Sequence, residues 1–407
     1  MTKKMRRWPV LAPTEQECCG CTACASVCPV RAITMKQDQK GFWTPVVDRE
    51  KCIQCMQCER ACFYRSGVLP REAFLQESYA AWLKNRQKRV SSQSGGMSAA
   101  LAEQVIAVGG TAYGAIIDDD FVVRHRGCST LEACNRLRGS KYVQSDINTA
   151  FVDVKRDVEA GKKVLFVGTP CQVAGLRKFM QHPCDNLLLV DLICFGVPSS
   201  TIWRDFLDSM QRRHPDERLE QVWFRDPQFG WHGSKANFKF DGKWYPNEEY
   251  NDLFYEGIAF RQNCYACKFD NLERPGDLTI GDCWFIENID KNLADEAGIS
   301  LVLVNNAHGK QWWDALDNVQ KRQVDISKLM QPCLCHPALR PDATDAFWRD
   351  YPEHDIDWMI KQYVYHGQGK LEVKFRQEVS QIFGRVHGIL GACKRWLISK
   401  QKDKNCK

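Results

Sequence analysis

The order of apolar and polar positions divides this chain into three stretches. Residues 1–70 hold only short apolar runs, with little material for a core. From 70 to 90 the chain is charged, and Phe74, Leu75, Tyr79, Trp82 and Leu83 recur at helical spacing, which predicts a helix. Ser91–Gly96 reads as a loop, and Met97–Ala107 as a helix stopped before Gly109–Gly110. Continuous apolar runs at 112–117, 164–167 and 187–193 predict buried strands, with helical patterns at 148–160 and 173–180 between them. Alternation of this kind predicts an α/β layer with a partly parallel sheet. Residues 219–260 turn aromatic and Gly/Asp-rich, with a hairpin signal at Asp241–Gly242, and 278–281 and 300–304 read as further buried strands. In the last stretch Phe375, Val379, Ile382, Val386, Ile389, Cys393 and Trp396 alternate at four and three residues, widened by Phe383, Leu390 and Leu397. That predicts an amphipathic helix, weakened by Gly384, Gly388 and Gly391. The expected domains are 1–70, 71–345 and 346–407.

Composition narrows the class. The 407 residues are 44% apolar, enough for a sizeable core and against wholesale disorder. The net charge of +6 is concentrated at the end: residues 361–407 carry eleven Lys/Arg against three carboxylates, leaving a near-neutral body with no call for nucleic acid. The basic helix is expected to dock on the chain's own body, or else on a partner subunit or an anionic membrane surface. Cysteine is the outlier, at 21. Pro9, Pro13 and Glu15 interrupt the place where a secretory apolar segment would follow the basic start, and no window of 18 apolar residues occurs. A cytoplasmic protein with reduced or metal-bound thiols is the expectation.

The cysteines carry a specific chemistry. Cys18, Cys21, Cys24 and Cys28 precede Pro29 in the spacing C-x2-C-x2-C-x3-C-P, and Cys52, Cys55, Cys58 and Cys62 repeat it with Phe63 in place of the proline. Three thiolates from one loop and the fourth from the other run complete each [4Fe–4S] site. The expected sets are Cys18, Cys21, Cys24 and Cys62, and Cys52, Cys55, Cys58 and Cys28. Zinc pairs would lack the third cysteine and the trailing Cys-Pro. Cys19 falls outside the pattern and is expected to pack. Two such clusters in series make a wire for single electrons.

Beyond residue 90, SSQSGGMSAALAE (91–103), GSKYVQS (139–145), GTPCQVAGL (168–176), DLICFGVPS (191–199), CYACKF (264–269) and GDLTIGDCW (276–284) occur in one order. Together they resemble the coenzyme F420 hydrogenase/dehydrogenase beta-subunit family, in the bacterial subgroup with an N-terminal dicluster ferredoxin. The resemblance spans about residues 15–310. It implies a mixed α/β flavoprotein with a C-terminal helical tail, holding FAD and an additional [4Fe–4S] cluster. Its partners would be a ferredoxin-like donor or acceptor, or a partner subunit, and a small-molecule substrate.

Individual residues fit those roles. Ser94, Gly95 and Gly96 stand before a helix, where bare N–H groups suit a pyrophosphate; an ordinary helix start with glycine flexibility is the alternative. No G-x-G-x-x-G follows a strand, which argues against a nicotinamide site. Ser140, Lys141, Tyr142 and Gln144 offer a cation, a stacking ring and hydrogen bonds to a flavin, or simply a loop entering a strand. Thr169 and Gln172 follow the strand at 164–167, where α/β folds build sites. Cys171, Cys194, Cys264 and Cys267 are the expected ligands of the third cluster, with Cys283 as substitute; Cys171 and Cys194 as plain buried thiols are the alternative. Asp277 and Asp282 either line the site or cap turns, and His232 is a candidate proton donor. No catalytic residue is assigned.

The function expected from this is an iron–sulfur flavoprotein oxidoreductase acting on an organic substrate, such as a polysaccharide or cell-envelope precursor. An F420-dependent enzyme, or an electron-transfer subunit without its own substrate, are the alternatives.

Overall fold

A computed structural model describes residues 7–70 and 73–367. The amphipathic tail at 375–397 lies outside the described residues. The chain divides into two compact units at Thr344/Asp345.

In the first unit, β1 (Ile33–Gln37) and β2 (Trp43–Val47) pair antiparallel within the cysteine-rich segment. The main sheet draws on β3 (Glu77–Leu83), β4 (Thr111–Ile117), β5 (Val123–Cys128), β6 (Val164–Gly168) and β7 (Leu187–Leu192). A side sheet follows from β8 (Leu219–Trp223), β9 (Ala236–Phe240) and β10 (Lys243–Asn247). Then β11 (Leu278–Asp282), β12 (Ser300–Val304) and β13 (Val319–Gln323) complete the main sheet. Its order is β13-β3-β12-β11-β7-β6-β4-β5. The central strands β4, β6, β7 and β11 run parallel, and the flanks are antiparallel, so the sheet is mixed as expected.

The apolar runs are continuous because both faces of the central strands are covered. In β6, Leu165 and Val167 join a core with the helix Met97–Ala107, while Val164 and Phe166 join the opposite core with the helices Ala150–Glu159 and Pro170–Met180. β7 divides likewise, Leu188 and Val190 against Leu187 and Leu189. Every residue of β6 and β12 is buried. The Asp241–Gly242 signal is the turn of the β9–β10 hairpin, both residues at positive φ as a two-residue turn requires.

The expected helix over 70–90 is corrected. Residues 77–83 form β3, bonded to β12 on one side and β13 on the other, and only Arg86–Val90 is helical, started by an Asn85 cap on Lys88 N. Helical spacing of Tyr79, Trp82 and Leu83 is overridden by two neighbouring strands that bond both edges and by apolar cores that cover both faces. Gly95 answers to the same packing: a Cβ there would stand 2.1 Å from Ala81 O and 2.6 Å from Ser300 N.

In the second unit the helices Thr344–Asp350 and Ile356–Tyr363 gather Phe347, Trp348 and Tyr363, with Phe347–Trp348 centroids 5.2 Å apart. Among the described residues no helix is long and apolar enough to cross a membrane.

Candidate cluster sites and cleft

The duplicated cysteine motif has a duplicated backbone. Thr22 (φ 65°) and Met56 (φ 59°) both take the left-handed conformation, each starting a one-turn helix, Ala23–Ser26 and Gln57–Arg60. Each turn thereby bends its C-x2-C-x2-C loop back on itself. Gly20 N donates to Cys18 Sγ at 3.4 Å and Ala32 N to Cys28 Sγ at 3.2 Å. Burial raises the Cys62 thiol to about 11, and the thiols of Cys21 and Cys18, from the other run, add to the rise. Cys58 is likewise raised to about 11 by burial, with Cys55 and Cys28 contributing. Each fourth cysteine thus stands by the opposite loop. Among the described residues no group of three or more His, Cys, Asp or Glu closes on a single metal ion. The donor chemistry fits clusters held by four thiolates each.

The cysteine segment is fastened to the sheet beside its own ligands. Cys19, Phe63, Ala174 and Phe269 pack with Cys21, Tyr64, Cys171 and Cys267. On the helix Pro170–Met180, Gly175 lies so close to Cys21 that a Cβ would stand 2.6 Å from its Sγ. Gln144 Nε2 donates to Cys19 O at 3.1 Å, its Oε1 accepts from Trp43 N at 3.3 Å, and Arg261 Nε donates to Cys18 O at 2.8 Å. Cys19 is therefore more than filler: it packs with Cys171 and Cys21, and their thiols push its own well up.

Cys171, Cys194, Cys264 and Cys267 lie within electrostatic reach of one another. Cys171 lies in the first turn of the helix Pro170–Met180, and Cys194 two residues past β7. Cys194 is pushed well up, first by burial and then by Cys264, Cys171 and Cys267. Cys264 is raised to about 12 by burial, with Cys171 adding to it. Cys171 is lowered, chiefly by the hydrogen bond with Cys19. Four thiols from one helix start, one strand end and one C-x2-C loop have the donor chemistry of a [4Fe–4S] site. Cys283 stands apart, packed with Ala80, Trp231 and Leu301.

The residues expected at a flavin divide. A cleft of about 990 Å³ is lined by Ser91, Gly139, Ser140 and Lys141, by Arg136, Arg138 and Arg218, and by Trp223 and Phe224. Asp118, Asp119 and Glu220 also line it, so its charge is mixed; its size, at the upper end of small-molecule sites, and its aromatic side chains have room for a dinucleotide flavin. Lys141 Nζ donates to Arg136 O (3.0 Å) and Arg138 O (2.7 Å), and burial lowers its pKa to about 7. Tyr142 stacks on Phe254 at 4.1 Å, in the cluster that includes Cys264. Gln144 and Gln172 are not brought to the cleft. Gln172 Oε1 accepts from Thr169 N (2.9 Å) and its Nε2 donates to Ser145 Oγ (2.9 Å), which meets His125 Nδ1 at 2.9 Å. Thr169 Oγ1 lies 3.2 Å from Cys171 Sγ. The N–H groups expected to face a pyrophosphate are partly used: Gly95 N donates to Ser300 Oγ and Gly96 N to Gln93 O, and Ser94 Oγ donates to Ile299 O.

Asp277 is structural, accepting from Arg177, Leu189 N and Asn306. Asp282 accepts from Arg225 at 2.8 Å and from Trp231 Nε1 at 2.7 Å. His232 is exposed and paired with Glu296 at 3.1 Å, a surface contact rather than a buried proton donor. Sequence reasoning missed Arg261, whose only signal was its position three residues before Cys264.

Comparison with known proteins bears on this arrangement. Residues 17–66 match the 4Fe-4S dicluster domain. Residues 161–331 match the family described as the C terminus of the beta subunit of coenzyme F420 hydrogenase/dehydrogenase. The F subunit of F(420)H(2) dehydrogenase from Methanosarcina mazei is 23% identical over 188 residues, 44% of this chain and 53% of that protein, so the match spans about half of the relative's length. A chain in the structure of the F420-reducing [NiFe] hydrogenase complex from Methanosarcina barkeri covers 62% of this chain and 85% of its own, at 16% identity and a TM-score of 0.41. The class is that of iron–sulfur electron-transfer proteins, with two [4Fe–4S] sites in residues 17–66. Within it, residues 17–66 and 161–331 are similar to the F420 hydrogenase/dehydrogenase beta-subunit-like proteins that carry an N-terminal ferredoxin domain.

Proposed function

We propose that this chain is a cytoplasmic iron–sulfur flavoprotein oxidoreductase that joins one-electron partners to a two-electron organic carrier. The observation that carries the reading is the junction at Cys19. There the ligand loop of Cys18–Cys24 packs directly against Cys171 and Cys267, so one cluster site adjoins a second cysteine set with no polypeptide layer between. Bound in these places, clusters move single electrons and FAD pairs them.

The chain's own residues prepare both sites. Cys171 lies at a helix N-terminus, where the dipole and free N–H groups favour a thiolate. Arg136, Arg138, Arg218 and Lys141 offer anion contacts on the cleft that takes FAD, among the carboxylates of Asp118, Asp119 and Glu220, and Tyr142, next to Lys141, packs in the apolar group that includes Cys264. Lys141, with its pKa near 7, is able to hold or give a proton there at neutral pH. A deazaflavin such as F420 is the first carrier to test, because the Methanosarcina mazei relative is named for F420H2. A partner subunit is the expected source or sink of single electrons.

Anaerobic purification with iron, sulfide and flavin quantitation tests the reading. Three [4Fe–4S] clusters and one FAD per chain are expected, with Cys264→Ser losing one cluster and keeping the ferredoxin pair. Lys141→Met is expected to weaken FAD binding about tenfold. A chain that takes up neither flavin nor the third cluster after reconstitution refutes it.

A further inference from the structure

Four arginines are buried among the described residues: Arg89, Arg225, Arg261 and Arg274. Three have a carboxylate within reach: Arg89 with Asp295 at 2.7 Å, Arg225 with Asp282 at 2.8 Å, and Arg274 with Asp191 at 2.7 Å. Arg261 is 3% exposed and pairs with no carboxylate among the described residues. Its Nε donates to Cys18 O, its guanidinium lies over the Phe42 ring at 5.3 Å, and its NH1 is buried without a hydrogen-bond partner.

A buried guanidinium without a counter-charge is strongly disfavoured, so a chain that keeps one supplies an anion in some other form. The groups facing Arg261 indicate which. Its backbone N–H is bonded to Val197 O, on the segment that follows Cys194, and it stands three residues before Cys264. Gly20, between Cys18 and Cys21, lies close enough that a Cβ would come within 3.4 Å of NH1. The carbonyl O of Arg261 accepts from Cys264 N at 2.9 Å. The cysteines it bonds, Cys18 and Cys264, belong to two different sets, one in the ferredoxin segment and one at the sheet. A [4Fe–4S] core with four thiolates carries net negative charge, and that charge helps to set its reduction potential.

We infer that Arg261 is the shared counter-ion of two cluster sites, the ferredoxin site containing Cys18 and the site of Cys171, Cys194, Cys264 and Cys267, and that it holds both reduction potentials up together. This rests on the third cluster proposed above. A cation between two neighbouring sites favours the reduced state of each. It also offsets the repulsion that an electron on one would exert on an electron for the other. Arg261 acts through the cysteine ligands and is a positioning residue.

The test is an EPR-monitored redox titration of the full chain with its clusters in place, wild type against Arg261→Gln and Arg261→Lys, with iron and sulfide counted in each. Arg261→Gln is expected to shift the one-electron equilibrium of the two adjoining clusters about tenfold toward the oxidised form, about 59 mV. The distal cluster of Cys28, Cys52, Cys55 and Cys58 moves less, and Arg261→Lys recovers most of the shift. Unmoved potentials with all iron retained overturn the inference, as does an equal shift of all three clusters. If Arg261→Gln loses iron, Arg261→Lys decides: potentials near wild type support the counter-ion, and a full tenfold fall overturns it. Two clusters instead of three in the wild type refute the third site, a result separate from the Arg261 shift.

Discussion

The cysteine segment and the main sheet are built on different physics. Strands β6 and β12 are buried at every residue, and their side chains alternate between two separate apolar cores. In residues 7–70 the buried apolar residues are Cys19, Ala23, Cys24, Ala32, Ile33, Phe42, Cys58, Ala61 and Phe63, of which three are cysteines and three alanines. The sheet can fold on hydrophobic burial; a segment of this size with so thin a core draws its stability from bound metal and from what it packs on. One compact unit therefore holds a part that stands on its own core and a part that depends on its cargo.

The strongest way to break this comparison is to remove iron. Chelation under reducing conditions is expected to abolish amide-exchange protection over residues 7–70 while β6, β7 and β12 keep theirs; uniform loss of protection would show that both regions share one source of stability. Next in size is the sheet's buried ion pair. Asp191 accepts from Arg274 and from Gly276 N with both charged side chains fully buried. Asp191→Ala leaves the guanidinium unpaired and is expected to cost about 3–5 kcal/mol in denaturant unfolding.

His125 gives the sheet a pH dependence. Its Nε2 donates to Val167 O and its Nδ1 accepts from Ser145, and burial lowers its pKa from 6.5 to about 4. The unfolded chain binds the proton more readily, so stability is full above pH 6.5 and falls as pH drops toward 4. The loss is on the order of 3 kcal/mol, and His125→Gln is expected to flatten the profile between those limits. The smallest effect sharpens the boundary between the two regions. Gln144→Leu removes the amide that bonds Cys19 O and Trp43 N. A loss of about 1–2 kcal/mol is expected, seen as faster exchange around residues 18–43 with β6 and β7 unchanged.

Legibility followed the locality of each cause. Cysteine spacing in the first seventy residues reports directly on how a loop wraps a cluster, and the dicluster match covers the same residues. Strands β6, β7, β11 and β12 were legible because an apolar run buried on both faces admits few other readings. The misread strand β3 had no such signature: Tyr79, Trp82 and Leu83 suit a helix until β12 and β13 bond its two edges. Gly95, read toward a phosphate, is required by its closeness to Ala81 on β3 and Ser300 on β12. Gln144 and Gln172, read toward a flavin, are bonded inside the chain.

By itself the sequence determined the two cluster-binding loops, the α/β alternation and the parallel core of the sheet, because each is encoded over a few consecutive residues. Only the tertiary structure decided that Cys19 stands between Cys21 and Cys171, and that Arg261 is buried with no carboxylate paired to it among the described residues. Those facts depend on which segments far apart in the chain are pressed together. Burial, hydrogen-bond partners and charge neighbours are properties of that contact, and no local pattern of residues carries them.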